Sequence, residues 1–507
     1  MQVGLGWGVG GFFCGVILRS FVDFGWAFVG LSLLLAICFA SFYLFTRNGE
    51  PIQARVYVTL AIFFLTCTLG MARYEWRDQT PETLGVEEVR TPSVGQGVLE
   101  ATIIDEPEET ESSMRYRVRT DGGIKMLLIA RQVPVYDYGD KVSLSGKVER
   151  MVDFTTKDGE VVAWQDYWAR DEIYYESVYP VITLISKDNG NWLQARLYQF
   201  KHAFLGVLSR QIPEPEASLA GGLDLGAKQS LGKALLDKFR TAGLIHMVVL
   251  SGYNITIVAL GVMWLFRRFL SLRASIGMGV LSILLFAIMV GGGSTVLRAS
   301  VMAVLGLLAQ ATGRVNAVTR ALIIAALVMV AWNPKVLVFD TGFQLSFLAT
   351  LGLICLEPIF APWFRKWPEK ILWMDFRPIA SATLGAQLAV LPLILYTFGN
   401  FSLYAFPVNM LVLPIVPTTM LFIFLCGFAG LIALFFPPLL LLAYPLAWLS
   451  YFLLSYMIGL VSVVSHLPLA SLTISHIPIL LVFLMYASLI FIVLRKRKTA
   501  PRGGAVS

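Results

Sequence analysis

A chain of 507 residues with 57% hydrophobic and only 14% charged side chains is too apolar for a soluble globular protein, in which about 25% are charged. Its net charge of +7 combines two opposite balances: residues 72–199 hold 15 Lys+Arg against 23 Asp+Glu, and the remainder holds 25 against 10. The five cysteines, Cys14, Cys38, Cys67, Cys355 and Cys426, all lie in apolar runs. That excludes a disulfide framework or a thiolate metal site in the polar region and leaves them as small packing groups.

Three apolar runs near 3–18, 26–45 and 55–71 read as membrane helices, forming an N-terminal block over 1–71. No small-residue cleavage pattern follows the first, so it reads as a retained span. A loop with Arg47 and Arg55 joins the second to the third.

Residues 72–191 change character. "SMRYRVRT" and "KVSLSGKVER" alternate apolar with polar, and "DGG" (121–123) and "YGD" (138–140) are turn signals, so a small β-rich domain is expected. In "MRYRVRT" the alternation puts Arg115, Arg117 and Arg119 on one face and Met114, Tyr116 and Val118 on the other. Three arginines in a stripe suit a phosphate backbone, and Tyr136, Tyr138, Trp164, Tyr167 and Trp168 are candidates to stack bases. In so acidic a region, an ordinary solvated strand face is the favoured alternative.

Residues 192–242 read as an amphipathic, interfacial helical linker. Beyond it lie nine apolar segments, about 243–266, 275–293, 295–313, 319–332, 341–362, 378–398, 405–433, 439–464 and 477–494, then a basic tail over 495–507. The expectation is a polytopic α-helical membrane protein of about 12 spans, several broken or re-entrant, with a small β-rich domain. The distribution of basic residues agrees with it. With the β-rich domain outside, Arg47/Arg55, Arg267/Arg268/Arg273, Arg314/Arg320, Arg365/Lys366/Lys370/Arg377 and the basic C-terminus fall inside. Lys335 is the one cation stranded in an outer loop between the later spans.

Polar residues gather at one depth. His246, Ser251 and Asn254 lie in the outer half of the first of these spans, and Arg298 lies one turn inside another, after the break "GGGST". Asp340 and Gln344 begin a third, one turn apart, and Asn409 begins a fourth, broken by Pro407, Pro414 and Pro417. Singly, each has an ordinary explanation: an interfacial histidine, a snorkelling arginine, a capping asparagine. Together they point to a polar, water-filled path, because a charge near the bilayer centre costs about 2.5–3.5 kcal/mol and needs a cavity or partner. Arg298 and Asp340 form the natural pair, with Arg298 placed to touch phosphate.

Catalytic chemistry finds little support. His246 and Ser251 stand about 140° apart around a helix, too far for a nucleophile and its base to face each other. The four histidines, His202, His246, His466 and His476, form no metal motif, "GGGST" lacks the lysine of a phosphate loop, and no cofactor is implied. The segment reads as a path, not a reaction centre.

"FRTAGLIHMVVLSGYNITIVAL", "STVLRASVMAVLGLLAQATGR", "DTGFQLSFLATLGL" and "GAQLAVLPLILYTFGNFSLYAFPVNMLVLPIVP", in that order, resemble the successive signatures of the ComEC competence channels. "EASLAGGLDLGAKQSLGKALLDKFRTAGL" resembles the stretch before them. The resemblance implies an inner-membrane channel that imports single-stranded DNA during natural transformation, with an OB-like domain outside, a competence channel domain over 243–494 and a cytoplasmic C-terminus. It further implies a cytoplasmic ATPase or helicase to drive import and an extracytoplasmic protein to receive DNA. His246, Ser251, Asn254, Arg298, Asp340 and Gln344 would line or shape its opening, and Gln387 and Asn409 would lie deeper or brace broken helices. Two departures qualify it. The family's "SGLH" reads "SGYN" here, so Asn254 replaces a histidine. The HxHxDH motif of the family's metallo-β-lactamase-like domain is missing, so a separate nuclease is expected. The rival readings are a secondary transporter of a small solute and an intramembrane hydrolase using Ser251.

Overall fold

A computed structural model describes residues 2–23, 25–47, 51–83, 99–110, 112–155, 161–162, 164–227, 231–248, 252–311, 318–367, 375–474 and 477–499. The chain forms two compact units. The first comprises Met1–Glu108, Ser112–Asn191 and Ile323–Gln344, and the second Glu109–Glu111, Trp192–Leu322 and Leu345–Ser507. Residues 323–344, expected within one channel domain over 243–494, therefore belong to the unit that holds the sheet.

Long apolar stretches fold as helices because only a helix satisfies every backbone N–H and C=O within its own segment in lipid. Seven helices among the described residues are long and apolar enough to cross a membrane, and the pair Thr341–Cys355 and Glu357–Lys366, bent by 40°, makes an eighth if counted as one span. Each expected span overlaps at least one helix, and 243–266, 341–362 and 405–433 each overlap two α-helices. Gly252–Phe266 and Val318–Trp332, at 15 residues and about 1.5 Å per residue, fall short of a hydrocarbon core of about 30 Å. The protein is a multi-pass membrane protein, with seven or eight candidate full-length spans among the described residues.

In the first unit, Gln2–Phe21, Gly25–Thr46 and Pro51–Thr83 pack together. A Cβ at Gly11, Gly15 or Gly70 would strike the backbone of the facing helix, so glycine permits the close approach. Ser32 and Thr68 hydrogen-bond across the bundle at 3.0 Å.

The sheet of this unit contains β1 (Leu99–Ile103), β2 (Met114–Thr120), β3 (Lys125–Ala130), β4 (Lys141–Ser145), β5 (Ile173–Val178) and β6 (Val181–Ser186). β1 pairs antiparallel with β2 and β4, β2 pairs antiparallel with β3, and β3 runs parallel to β5. β6 pairs antiparallel with β4. Only Tyr179 and Pro180 separate β5 from β6, so one bent strand joins β3 on one side to β4 on the other, and the path closes on itself. The predicted alternation holds: Met114, Tyr116 and Val118 are buried with Ile103, Met126 and Leu128.

In the second unit, helices Trp192–Gln211 and Glu216–Leu225 share one buried cluster with Val408, Ile423 and Leu454. Gly427 accommodates the Phe204 ring, and Gly430 accommodates Val207 and Gln211. The stretch expected as an interfacial linker over 192–242 is thus part of a helical core, because its apolar face finds glycines to pack against.

Candidate functional site

The residues expected to line one path divide between the two units. In the first, Asp340 stands just before helix Thr341–Cys355. Its Oδ1 accepts from the backbone N–H of Phe343 at 2.9 Å, capping that helix, and its Oδ2 accepts from Arg170 Nη1 at 2.8 Å. The pairing of Asp340 with Arg298 expected from the sequence is therefore replaced by an ion pair to the sheet domain. Gln344 donates from Nε2 to the carbonyls of Leu337 at 3.1 Å and Val338 at 2.7 Å, which satisfies backbone freed by the helix break.

This ion pair belongs to a larger network. Asn333 Nδ2 donates to the Arg170 carbonyl at 2.7 Å, and Arg73 donates to the carbonyls of Ala331 and Trp332, both at 2.6 Å. Lys335 Nζ lies 2.6 Å from Asp78 and donates to the Tyr174 hydroxyl at 3.1 Å. Glu172 takes Arg77 on one oxygen and Lys125 on the other, at 2.5 and 2.6 Å. Lys335, the lysine that stood apart in the sequence, thus ties the connection between helices Val318–Trp332 and Val336–Phe339 to the end of helix Pro51–Thr83 and to the sheet. Arg170, Glu172 and Asp78 escaped the sequence reading, since isolated charges in a polar region carry no pattern.

In the second unit Arg298 is buried on helix Ser294–Ala311. Its Nη1 lies 3.3 Å from Thr350 Oγ1 and 3.4 Å from Met302 Sδ, with the guanidinium carbon 5.9 Å from the centre of the Phe347 ring. Nε has no hydrogen-bond partner, and among the described residues no carboxylate pairs with this arginine. Phe347 and Thr350 lie on helix Thr341–Cys355, whose Gly352 packs against Gly385 of helix Phe376–Phe398. Gln387, half-buried, lies two residues beyond that contact. Two helices thus meet at this arginine, and a third packs on the second of them at Gly352.

The other polar residues serve separate places. Asn254 is buried and donates from Nδ2 to the Leu223 carbonyl at 2.9 Å, bracing two helices. Gly243, at φ +75°, brings the segment before His246 against Ala405, at the start of helix Ala405–Val412. His246 is exposed, whereas Asn409 is buried with its Oδ1 unpartnered. Ser251 lies outside the described residues. Asp224, which the sequence reading passed over, is buried with an unpartnered Oδ1.

On the sheet, Arg117 is held by Asp105 and Glu108, each at 2.9 Å, and sits 5.4 Å from the centre of the Trp168 ring. Burial opposes its charge, but Glu108 and Asp105 outweigh that and raise the pKa. Arg115 lies over Trp164 at 5.5 Å, and Arg119 is exposed. Of the candidate stacking aromatics, Trp168 and Tyr136 are buried, Trp164 donates to Glu176, and Tyr138 accepts from the Asn191 N–H. Tyr167 keeps an exposed face.

Residues 223–499 match the family model described as competence protein. The chain is 23% identical over 385 residues to ComE operon protein 3 of Bacillus subtilis (strain 168), an alignment covering 76% of this chain and 45% of that protein. The chain thus spans less than half the length of that relative. No solved structure matches significantly. The matched segment covers more than half of the chain and includes Arg298, Thr350, Gln387 and Asn409, so the chain belongs to the competence protein family.

Proposed function

We propose that this protein is a channel of the bacterial inner membrane that imports single-stranded DNA into the cytoplasm during natural transformation. The observation that carries the proposal beyond family membership is Arg298. A buried guanidinium that no carboxylate among the described residues pairs with leaves its positive charge open to a passing phosphate. Hydroxyl and amide groups nearby make weak contacts that let a polyanion slide without being trapped.

In this reading the sheet domain lies outside and the C-terminus inside, in accord with the basic loops. An OB-like reading of the sheet is supported by its pairing pattern. Three strands meander, the third runs parallel to a bent last strand, and the fourth pairs antiparallel with the first and last, as in a five-stranded Greek-key barrel. Four further apolar helices, with the seven long ones and the bent pair, support a twelve-segment membrane path, in which the 15-residue helices Gly252–Phe266 and Val318–Trp332 would cross incompletely. A cytoplasmic ATPase or helicase would drive import, a nuclease would degrade the other strand, and an extracytoplasmic receptor would present the DNA.

The test compares transformation, and entry of labelled DNA into a nuclease-protected pool, in a deletion strain, its complement and an Arg298→Ala complement matched for membrane expression. Loss of uptake in the deletion and in Arg298→Ala, with DNA still bound outside, supports the channel. Normal uptake in the deletion overturns it.

A further inference from the structure

Two of the five cysteines meet in the first unit. Cys14 lies on helix Gln2–Phe21 and Cys67 on helix Pro51–Thr83, both as free thiols, and the Cys67 thiol donates a hydrogen bond to the Cys14 sulfur. The two helices run side by side in one direction. Gly11 faces Phe63 and Thr66, Gly15 faces Cys67, Gly70 faces Phe12 and Val16, and Arg19 reaches Glu75.

This register brings the sulfurs within bonding reach. Packed helices ordinarily stand about 8–10 Å apart, too far for most facing cysteines, since a disulfide spans Cα atoms about 4.4–6.8 Å apart. Glycine removes the excess here. A Cβ built on Gly15 would lie 3.0 Å from the Cys67 Cα, so with one carbon–carbon bond of about 1.5 Å the two Cα atoms stand within about 4.5 Å. Cys14 is the adjacent residue, and the thiol–thiol hydrogen bond turns its side chain toward Cys67.

The surroundings assign the roles. Cys67 is buried against Val29, Met71 and Ala72, whereas Cys14 is half-buried. Cys14 also stands only about 7.5 Å along its helix from Arg19, whose partner Asp23 is exposed, so it lies toward the polar end. Among the described residues no third His, Cys, Asp or Glu completes a metal site around the pair. One approachable sulfur beside one shielded sulfur suits stepwise oxidation, the second thiol resolving what the first has formed.

We propose that Cys14 and Cys67 are a redox pair, Cys14 attacking and Cys67 resolving, that closes into a disulfide and staples helix Gln2–Phe21 to helix Pro51–Thr83. The oxidant is a disulfide apolar enough to enter the helix bundle. Cys14 releases its proton, and its thiolate attacks one sulfur of the oxidant, forming a mixed disulfide and expelling one thiolate. The Cys67 thiolate then attacks the Cys14 sulfur and expels the other. The two cysteines lose two electrons and two protons, and the oxidant gains them as two thiols. Closure fixes the base of the sheet domain, because helix Pro51–Thr83 holds Glu172 through Arg77 and Lys335 through Asp78.

The test uses the full chain in membranes, with a protease site inserted between helices Gly25–Thr46 and Pro51–Thr83 and the aromatic disulfide dithiodipyridine as oxidant. After oxidation, blocking with N-ethylmaleimide and cleavage, the two fragments should stay joined on a non-reducing gel and part with dithiothreitol. Cys38→Ser should leave them joined, whereas Cys14→Ser or Cys67→Ser should part them. In Cys67→Ser the pyridylthio group should remain on Cys14, added about tenfold faster than to Cys67 in Cys14→Ser. Acid-quenched cells treated with the same oxidant should also contain the joined form. Separate fragments from the oxidised parent chain, in membranes or in cells, overturn the proposal. A junction that survives Cys14→Ser or Cys67→Ser does so too, as does faster labelling of Cys67. Equal membrane amounts control for folding of the variants, and the parent-chain result stands without them.

Discussion

The Asp340 carboxylate caps helix Thr341–Cys355 with one oxygen and binds Arg170 of the sheet domain with the other, at 2.9 and 2.8 Å. One side chain thus fixes both a helix start and a domain. Its burial makes the pair sensitive to truncation, because removing one partner strands a charge in a low-dielectric place.

Arg170→Ala is accordingly expected to destabilise the first unit by about 3–5 kcal/mol. Asp340→Asn retains the cap acceptor and loses the ion pair, whereas Asp340→Ala loses both, adding about 1 kcal/mol. Thermal unfolding in detergent should rank them Asp340→Asn above Asp340→Ala. Identical melting of Asp340→Asn and wild type would show that the ion pair contributes nothing.

Acid should loosen the sheet domain. Burial raises the Glu172 carboxyl, but the hydrogen bond and charge of Lys125, with Arg77, outweigh it and hold the pKa below its ordinary 4.5. A lowered carboxyl pKa contributes stability that is complete above the ordinary value and lost as pH falls through the lowered one. Proteolysis of the sheet domain should therefore rise below about pH 4.5, and Glu172→Gln should flatten that rise while weakening the domain at neutral pH. A pH profile unchanged by Glu172→Gln would count against this assignment.

Gly427→Ala should destabilise the second unit by about 1–3 kcal/mol, since the new methyl group meets the Phe204 ring. Phe204→Leu should restore part of that loss in the double variant. If helix Trp192–Gln211 merely lay at the membrane surface, Gly427→Ala would be silent and the two substitutions would add.

Arginines on the two units should behave differently. Arg298→Ala should cut nuclease-protected DNA at least tenfold at equal expression, and Arg298→Lys should recover part of it, because lysine keeps the charge and loses the planar fork. Arg117→Ala should lower the amount of folded protein, as it takes the cation away from Asp105 and Glu108, with little change in uptake per molecule. Arg119→Ala should change neither. The reverse pattern would move strand recognition onto the sheet.

The alternation of Met114–Thr120 and the apolar runs were legible because they are local: a period of two or a membrane-length stretch dictates its own backbone. Family membership was legible for a related reason, since four signatures survive in order along the chain. Lys335 gave a hint only by standing on the wrong side of a charge rule.

Which groups meet was decided by tertiary structure. Arg170 lies 170 residues from Asp340, and nothing in either neighbourhood names the other. The sequence suggested Arg298 instead, as the nearest unpaired opposite charge at similar depth. Glycines at 427 and 430 drew helix Trp192–Gln211 into the core, although its composition alone reads as interfacial. The arginine stripe of β2 shows the same division. Its face was fixed by a two-residue repeat, but whether that face was free for a phosphate depended on Asp105 and Glu108 arriving from a neighbouring loop. Local geometry is set by steric and solvation preferences along the chain. Charge pairing is set by which segments the packed backbone brings within about 4 Å, and only the folded chain fixes that.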